Sequence, residues 1–178
     1  ALAALWAKAQ QSDACMLVMP ADHLIKDTPD FYTAVRQAEG LARQGQLVLF
    51  GVRPTGPETG FGYIEMGPPV NGFANAVKRF VEKPNLATAT QYLKEGGYYW
   101  NGGMFVLKAS VWLAALKEFR SDILEATTQA WQGKTSDASG DAVFIRPEKT
   151  LFNTIPSESI DYAVMEHCPG SRFAIQMV

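Results

Sequence analysis

Two apolar runs separated by one amphipathic helix pattern constrain this chain more than any other feature. Ala14 to Met19 is a short continuous apolar run, and Leu47 to Val52 is another. Between them, Phe31 to Arg43 repeats with a helical period, placing Phe31, Val35, Ala38, Leu41 and Ala42 on one face. Asp27, Thr28 and Asp30 stand where a helix needs a cap. Strand, helix and strand at this spacing form a βαβ unit and imply an α/β fold. The first run is expected to be a strand buried on both faces of a parallel sheet, because such strands lack alternation. With 178 residues the chain is long enough for one domain with a substantial core.

The rest of the chain changes rhythm. Ala1 to Gln11 reads as a helix with Leu2, Leu5, Trp6 and Ala9 on one face. Arg53 to Gly60 is a loop rich in Pro, Gly and Thr. Phe61 to Met66 and Ala76 to Glu82 are β-like and joined by Gly67 to Asn75, which suggests an antiparallel insertion beside a mostly parallel sheet. Leu86 to Lys94 is a helix stopped by Gly96-Gly97. Tyr99 to Leu107 is strand-like, and Ser110 to Phe119 and Ser121 to Trp131 are helices. Gly133 to Gly140 reads as a polar surface loop. Ser157 is placed to cap a short helix through Val164 and Met165, and Phe173 to Val178 closes as a strand.

Charge narrows the partners. The net charge is -2, so a broad nucleic-acid surface is excluded and any anionic substrate must be met by local charge or by a metal ion. No stretch is apolar for long enough to cross a bilayer. Ala1 to Ala9 lacks a basic flank and does not read as a signal peptide. Cys15 and Cys168 offer no disulfide framework, and Cys15 reads as a core residue, which together suggest a reducing cytoplasm. The two histidines and two cysteines form no zinc pattern. The chain opens on Ala1 within helix-like sequence, which reads as a piece of something longer.

Val77 to Asn85, Val-Lys-Arg-Phe-Val-Glu-Lys-Pro-Asn, is the stretch where chemistry is expected. Pro84 ends the strand, because proline has no N–H to give the ladder. Glu82 and Lys83 therefore stand side by side at a strand's carboxyl end, where open α/β sheets bind ligands. A carboxylate there can take neighbouring sugar hydroxyls, and an ammonium can hold a phosphate. Taken alone, the pair reads as two solvated charges.

Other stretches add to it. Asp22, just after an apolar strand, is suited to Mg²⁺, though an isolated Asp more often caps or turns the chain. His23 is given no chemistry. Gly60-Phe61-Gly62-Tyr63 allows backbone to approach a ligand closely, or forms a bulge. Asn101, in Trp100-Asn101-Gly102-Gly103-Met104-Phe105, can donate to and accept from a sugar hydroxyl; the same Asn-Gly pair is also a hairpin signal. Asp161 falls in the first turn of a helix, as a dipole partner or as a second metal ligand.

Met19-Pro20-Ala21-Asp22-His23, Gly60-Phe61-Gly62-Tyr63-Ile64-Glu65, Phe80-Val81-Glu82-Lys83-Pro84, Trp100-Asn101-Gly102-Gly103-Met104-Phe105 and Ser159-Ile160-Asp161-Tyr162-Ala163-Val164-Met165-Glu166 occur in this order. Together they resemble the mannose-1-phosphate guanylyltransferases (GDP-mannose pyrophosphorylases), of the bacterial kind often fused to a mannose-6-phosphate isomerase domain. The resemblance runs over nearly the whole chain. The Val-Glu-Lys-Pro element is common to many sugar nucleotidyltransferases, while the last two segments point to the mannose branch. It implies a Rossmann-like nucleotide-diphospho-sugar transferase fold over 1–178, as a single partial domain. It further implies that Asp22 and Asp161 ligate Mg²⁺, that Lys83 holds the phosphate of mannose 1-phosphate, and that Glu82, Gly62 and Asn101 shape the sugar pocket. Lys83, Asp22 and Asp161 then act as the catalytic set, with GTP, mannose 1-phosphate and GDP-mannose as small-molecule partners. The implied setting is cytoplasmic polysaccharide biosynthesis, with no nucleic acid or membrane partner, and it leaves room for a homo-oligomer. The family's Gly-x-Gly-x-x-Arg phosphate signature occurs nowhere in the sequence. Neither it, nor the base-reading residues that go with it, nor an isomerase-type barrel, is therefore expected in this chain. Two alternatives stay open: the same chemistry on another sugar or base, and a non-catalytic sugar-nucleotide-binding regulatory homologue.

Overall fold

The computed structural model describes residues 1–10 and 13–178. Its main sheet has six strands in the order β1-β5-β2-β8-β4-β3, with a further β5–β3 pairing. These are β1 (Cys15–Val18), β2 (Leu47–Val52), β3 (Tyr63–Pro69), β4 (Asn75–Val81), β5 (Tyr98–Lys108) and β8 (Ile175–Met177). Strand β5 is the longest and serves three neighbours. It pairs with β2 along one side, and on the other with β3 through its first residues and β1 through its last.

The period of two along the central strands sorts side chains to two faces. Leu47 and Leu49 of β2, with Phe105 and Leu107 of β5, enter the larger core. There they meet Ala4 of α1 (Leu2–Ala9), Trp112 and Leu116 of α4 (Ala109–Phe119) and Ile123 of α5 (Ser121–Gln132). The intervening Val48, Phe50 and Val106 face Ala38, Leu41 and Ala42 of α2 (Thr28–Arg43). Leu47 to Phe50 is therefore continuously apolar because helices cover both of its faces. A third cluster gathers Tyr63, Tyr98 and Tyr92, the last from α3 (Leu86–Glu95), with the Tyr92 and Tyr98 rings stacked 4.0 Å apart. Among the described residues no helix is long and apolar enough to cross a membrane.

A mixed sheet flanked by helices matches the expected α/β class, but several details differ. The only parallel pairing among the described strands is β2 with β8, so the sheet is mainly antiparallel rather than mostly parallel. Strands β1 and β2 do run in the same direction, but β5 lies between them, antiparallel to both. Strand β1 is not buried on both faces: its described pairing is to β5 alone, and Leu17 and Val18 are exposed. A continuous apolar run reports low polarity, not a central place in the sheet. The β3–β4 hairpin is no separate insertion, because β4 pairs with β8 and β3 with β5. The expected loop at Gly133 to Gly140 contains β6 (Thr135–Ser139), paired with β7 (Ala142–Arg146) about a turn at Gly140. Its small polar residues are all exposed, and strand pairing there needs no buried face. The cap of α7 (Ile160–Ala163) is Ser159, not Ser157; its hydroxyl accepts from the Tyr162 N–H. Helix α2 is capped by Asp27, which accepts from the Asp30 N–H at 3.1 Å. The expected end of the first helix at Gln11 lies outside the described residues; α1 ends at Ala9.

Leu49 is fully buried between β5 and β8. Leu49→Ala is expected to cost about 3 kcal/mol through lost contacts and a residual cavity. Chemical denaturation read by circular dichroism measures this, and a cost below about 1 kcal/mol would contradict the packing described.

Candidate functional site

A cavity of about 470 Å³ opens where the ends of β2 and β4 and the middle of β5 meet α7. Its polar lining includes Glu82, Lys83, Asn101 and Asp161. Strand β4 stops pairing at Val81, opposite Tyr63, and the chain then bends sharply. Among the described residues Lys83 is the one non-glycine residue with positive φ, at 47°. A side chain in the left-handed region costs about 1 kcal/mol or more unless its surroundings hold it. Pro84, buried, fixes the far side of the bend. The Glu82 side chain is left 7% exposed and that of Lys83 54%, with Nζ 3.0 Å from Glu82 Oε1. The hydrogen bond and charge of Glu82 raise the pKa of the Lys83 ammonium.

Gly62 lies opposite this pair. A Cβ there would stand 2.5 Å from Glu82 Oε2 and 3.3 Å from the Asn101 Cβ, so any side chain would push Glu82 from its place. Its carbonyl accepts from the Asn101 N–H at 2.8 Å. Asn101 and its two glycines do not form a hairpin turn: they remain within β5, and the irregularity appears as a register shift against β2 and a positive φ at Gly103. The Asn101 carboxamide is already engaged at both ends. Its Nδ2 donates to Asp161 Oδ1 at 2.9 Å, and its Oδ1 accepts from the Gly103 N–H at 3.2 Å. One N–H and one lone pair remain for a ligand.

Asp161, in the first turn of α7, is the partner of this carboxamide in the cavity lining. Burial pushes its pKa from 3.8 to about 6, the Glu82 charge pushes the same way, and the Asn101 hydrogen bond and Lys83 act against both. The cavity thus holds two carboxylates and one half-exposed ammonium, an excess of negative charge once Asp161 ionises. A desolvated carboxylate raised in this way is suited to a hard divalent cation, which removes the penalty on its charged form. Among the described residues no three His, Cys, Asp or Glu side chains gather into a cage.

Five sequence-identified residues, Gly62, Glu82, Lys83, Asn101 and Asp161, therefore line one cavity. Asp22 does not. It is exposed in the turn after β1, while its neighbours Pro20 and His23 reach the lining. Sequence reasoning leaves Phe61 and Trp100 without a role, yet their rings meet edge-on at 5.1 Å and form an aromatic wall. Their signal was their place inside the same glycine-bearing motifs.

The cavity thus presents an ion pair at a strand end beside a carboxylate on a helix. Comparison with known proteins gives the class: the family model described as Nucleotidyl transferase matches residues 1–143, and the chain belongs to that family. It is 51% identical over 166 residues to Xanthan biosynthesis protein XanB of Xanthomonas campestris pv. campestris, covering 93% of this chain and 34% of that protein. It is 47% identical over 169 residues to a mannose-1-phosphate guanylyltransferase of Escherichia coli, covering 93% and 35%. A crystal structure from Helicobacter pylori, named mannose-6-phosphate isomerase, superposes with a TM-score of 0.86 at 37% identity, over 99% of this chain and 65% of that one. The chain spans about a third of the length of these curated relatives.

The raised Asp161 pKa has a signed consequence. The native state binds this proton more tightly than the unfolded chain does, so stability falls as pH rises from about 4 through about 6. Asp161→Asn keeps the acceptor for Asn101 and removes the titration. In metal-free buffer the two proteins should match near about pH 4, with the variant the more stable near about pH 8, by on the order of 1 kcal/mol after allowance for solvent screening. Denaturation curves at both pH values decide this; a difference independent of pH would contradict it.

Proposed function

We propose that this chain carries the sugar-phosphate and metal half of the site of a mannose-1-phosphate guanylyltransferase, as a single partial nucleotidyltransferase domain over 1–178. The reaction joins GTP and mannose 1-phosphate to give GDP-mannose and pyrophosphate. The observation that carries the reading is the shared cavity of Glu82, Lys83, Gly62, Asn101 and Asp161. The 47% identity to a relative of that name supports the choice of sugar and base.

In this reading a phosphate oxygen of mannose 1-phosphate attacks the α-phosphorus of GTP. The bond from that phosphorus to the bridging oxygen breaks, and pyrophosphate leaves with its electron pair. No covalent enzyme intermediate forms, so the chain contributes positioning and charge. Lys83, at the tip of the bend, holds the mannose phosphate. Glu82, nearly buried, accepts hydrogen bonds from adjacent sugar hydroxyls. Gly62 leaves the sugar room against the backbone, and the Phe61–Trp100 wall covers its apolar face. Asn101 orients Asp161 and keeps one N–H for a hydroxyl. Asp161, with Asp22 brought in from its exposed turn, is the proposed holder of Mg²⁺. Such an ion supplies positive charge against the phosphate oxygens. A cytoplasmic location accords with the free thiols of Cys15 and Cys168, and the pathway is polysaccharide precursor synthesis.

Lys83→Ala is expected to weaken mannose 1-phosphate binding about tenfold or more while leaving the thermal midpoint nearly unchanged, because the side chain is half exposed and its loss opens no core. Isothermal titration with mannose 1-phosphate measures this, and equal affinities would remove Lys83 from the site. The same titration with GDP-mannose should tighten on addition of Mg²⁺ in the native chain and not in Asp161→Asn. Retained Mg²⁺ dependence would return Asp161 to its role as a helix-dipole partner.

A further inference from the structure

The bend that presents Glu82 and Lys83 is held by a residue to which no role above is given. We propose that Glu166 is a positioning residue for the phosphate-binding pair, an inference that rests on the function proposed for that pair. Beyond Val81 the β3–β4 ladder has ended, so the Glu82 N–H lies past its last described pair. It donates instead to Glu166 Oε1 at 2.9 Å, across 84 residues of sequence. The next residue is Lys83, with its positive φ. A non-glycine residue leaves that conformation unless both flanks are fixed. Buried Pro84 fixes one flank, and the Glu166 contact fixes the other.

Glu166 is itself well placed to act as an anchor. It lies on the 3₁₀ turn Met165–His167, which directly follows α7 and packs against β4. The preceding Met165 is fully buried in the larger core. The nearby cations Lys78 and Arg79 both turn to Glu65, at 2.5 Å and 3.0 Å, so the Glu166 carboxylate is not drawn off by them. One short segment, residues 160–167, thus sends Asp161 into the cavity and Glu166 to the outer side of the bend. The carboxylate and the ion pair that line the cavity are thereby set by a common support. A shift of this segment moves both together.

The test compares the full chain with Glu166→Gln, which keeps an acceptor oxygen, and with Glu166→Met, which keeps the length and loses the acceptor. Glu166→Ala serves as a second acceptor-free variant. Amide exchange is read at Glu82 against a core amide such as Leu49, which separates local opening from global unfolding. Mannose 1-phosphate affinity is read by calorimetry. Glu166→Met and Glu166→Ala should speed Glu82 exchange about tenfold relative to Leu49 and weaken binding about tenfold, the loss of one hydrogen bond to a charged acceptor. Glu166→Gln should stay close to the native chain in both. Unchanged Glu82 exchange in the acceptor-free variants overturns the contact. Faster exchange with unchanged affinity overturns the positioning role. If the native chain binds no mannose 1-phosphate, the proposed function falls and this role with it, while the exchange comparison still shows whether Glu166 holds the bend.

Discussion

Strand β5 is the constraint on which the rest depends. A buried strand must satisfy its backbone N–H and C=O groups on both sides, and β5 does so with β2 on one side and with β3 and then β1 on the other. That shared edge joins the helix-covered sheet to the β3–β4 hairpin. It also puts Trp100 to Met104 where the hairpin meets the sheet, so the cavity forms at the change of partner rather than on an appended loop. The glycines at 102 and 103 make the crossing feasible. A Cβ on Gly102 would stand 3.0 Å from the Phe50 carbonyl oxygen, and Gly103 adopts a φ of 65°.

The site sets opposing charges close together without neutralising them. Glu82 is paired to Lys83, yet its charge still reaches Asp161 and raises the Asp161 pKa further than burial does alone. A site built this way is poor at holding a free anion and better at holding an anion with a divalent cation, because the cation removes the repulsion between the carboxylates. The chain's net charge of -2 is therefore compatible with phosphate chemistry.

Much of this was legible in the sequence, and the misses share a physical cause. Periodicity reports which residues are apolar and how often, so α2, α4, α5 and the runs at Leu47 and Tyr99 appear close to their expected bounds. It does not report neighbours. Nothing in Cys-Met-Leu-Val says that β1 sits beside β5 with Leu17 and Val18 exposed, or that β5 separates it from β2. The β6–β7 hairpin escaped because Thr135 to Ser139 has no apolar alternation to reveal it. Glu82, Lys83, Gly62 and Asn101 stood out because charges at a strand end, a glycine at a strand entrance and an asparagine inside a strand depart from local preference, while Asp161, in an ordinary first-turn place, joined them through the family resemblance. Glu166 breaks none. Its contact to Glu82 spans 84 residues and exists only once the 3₁₀ turn Met165–His167 has docked against β4.

The most direct test of the account is an NMR titration of the chain with mannose 1-phosphate in the presence of Mg²⁺, followed at every backbone amide. The account predicts that the largest shifts cluster at residues 61–62, 82–83, 101–103 and 161, which line one cavity. Saturable shifts centred elsewhere, or none in a chain shown to be folded, would contradict it.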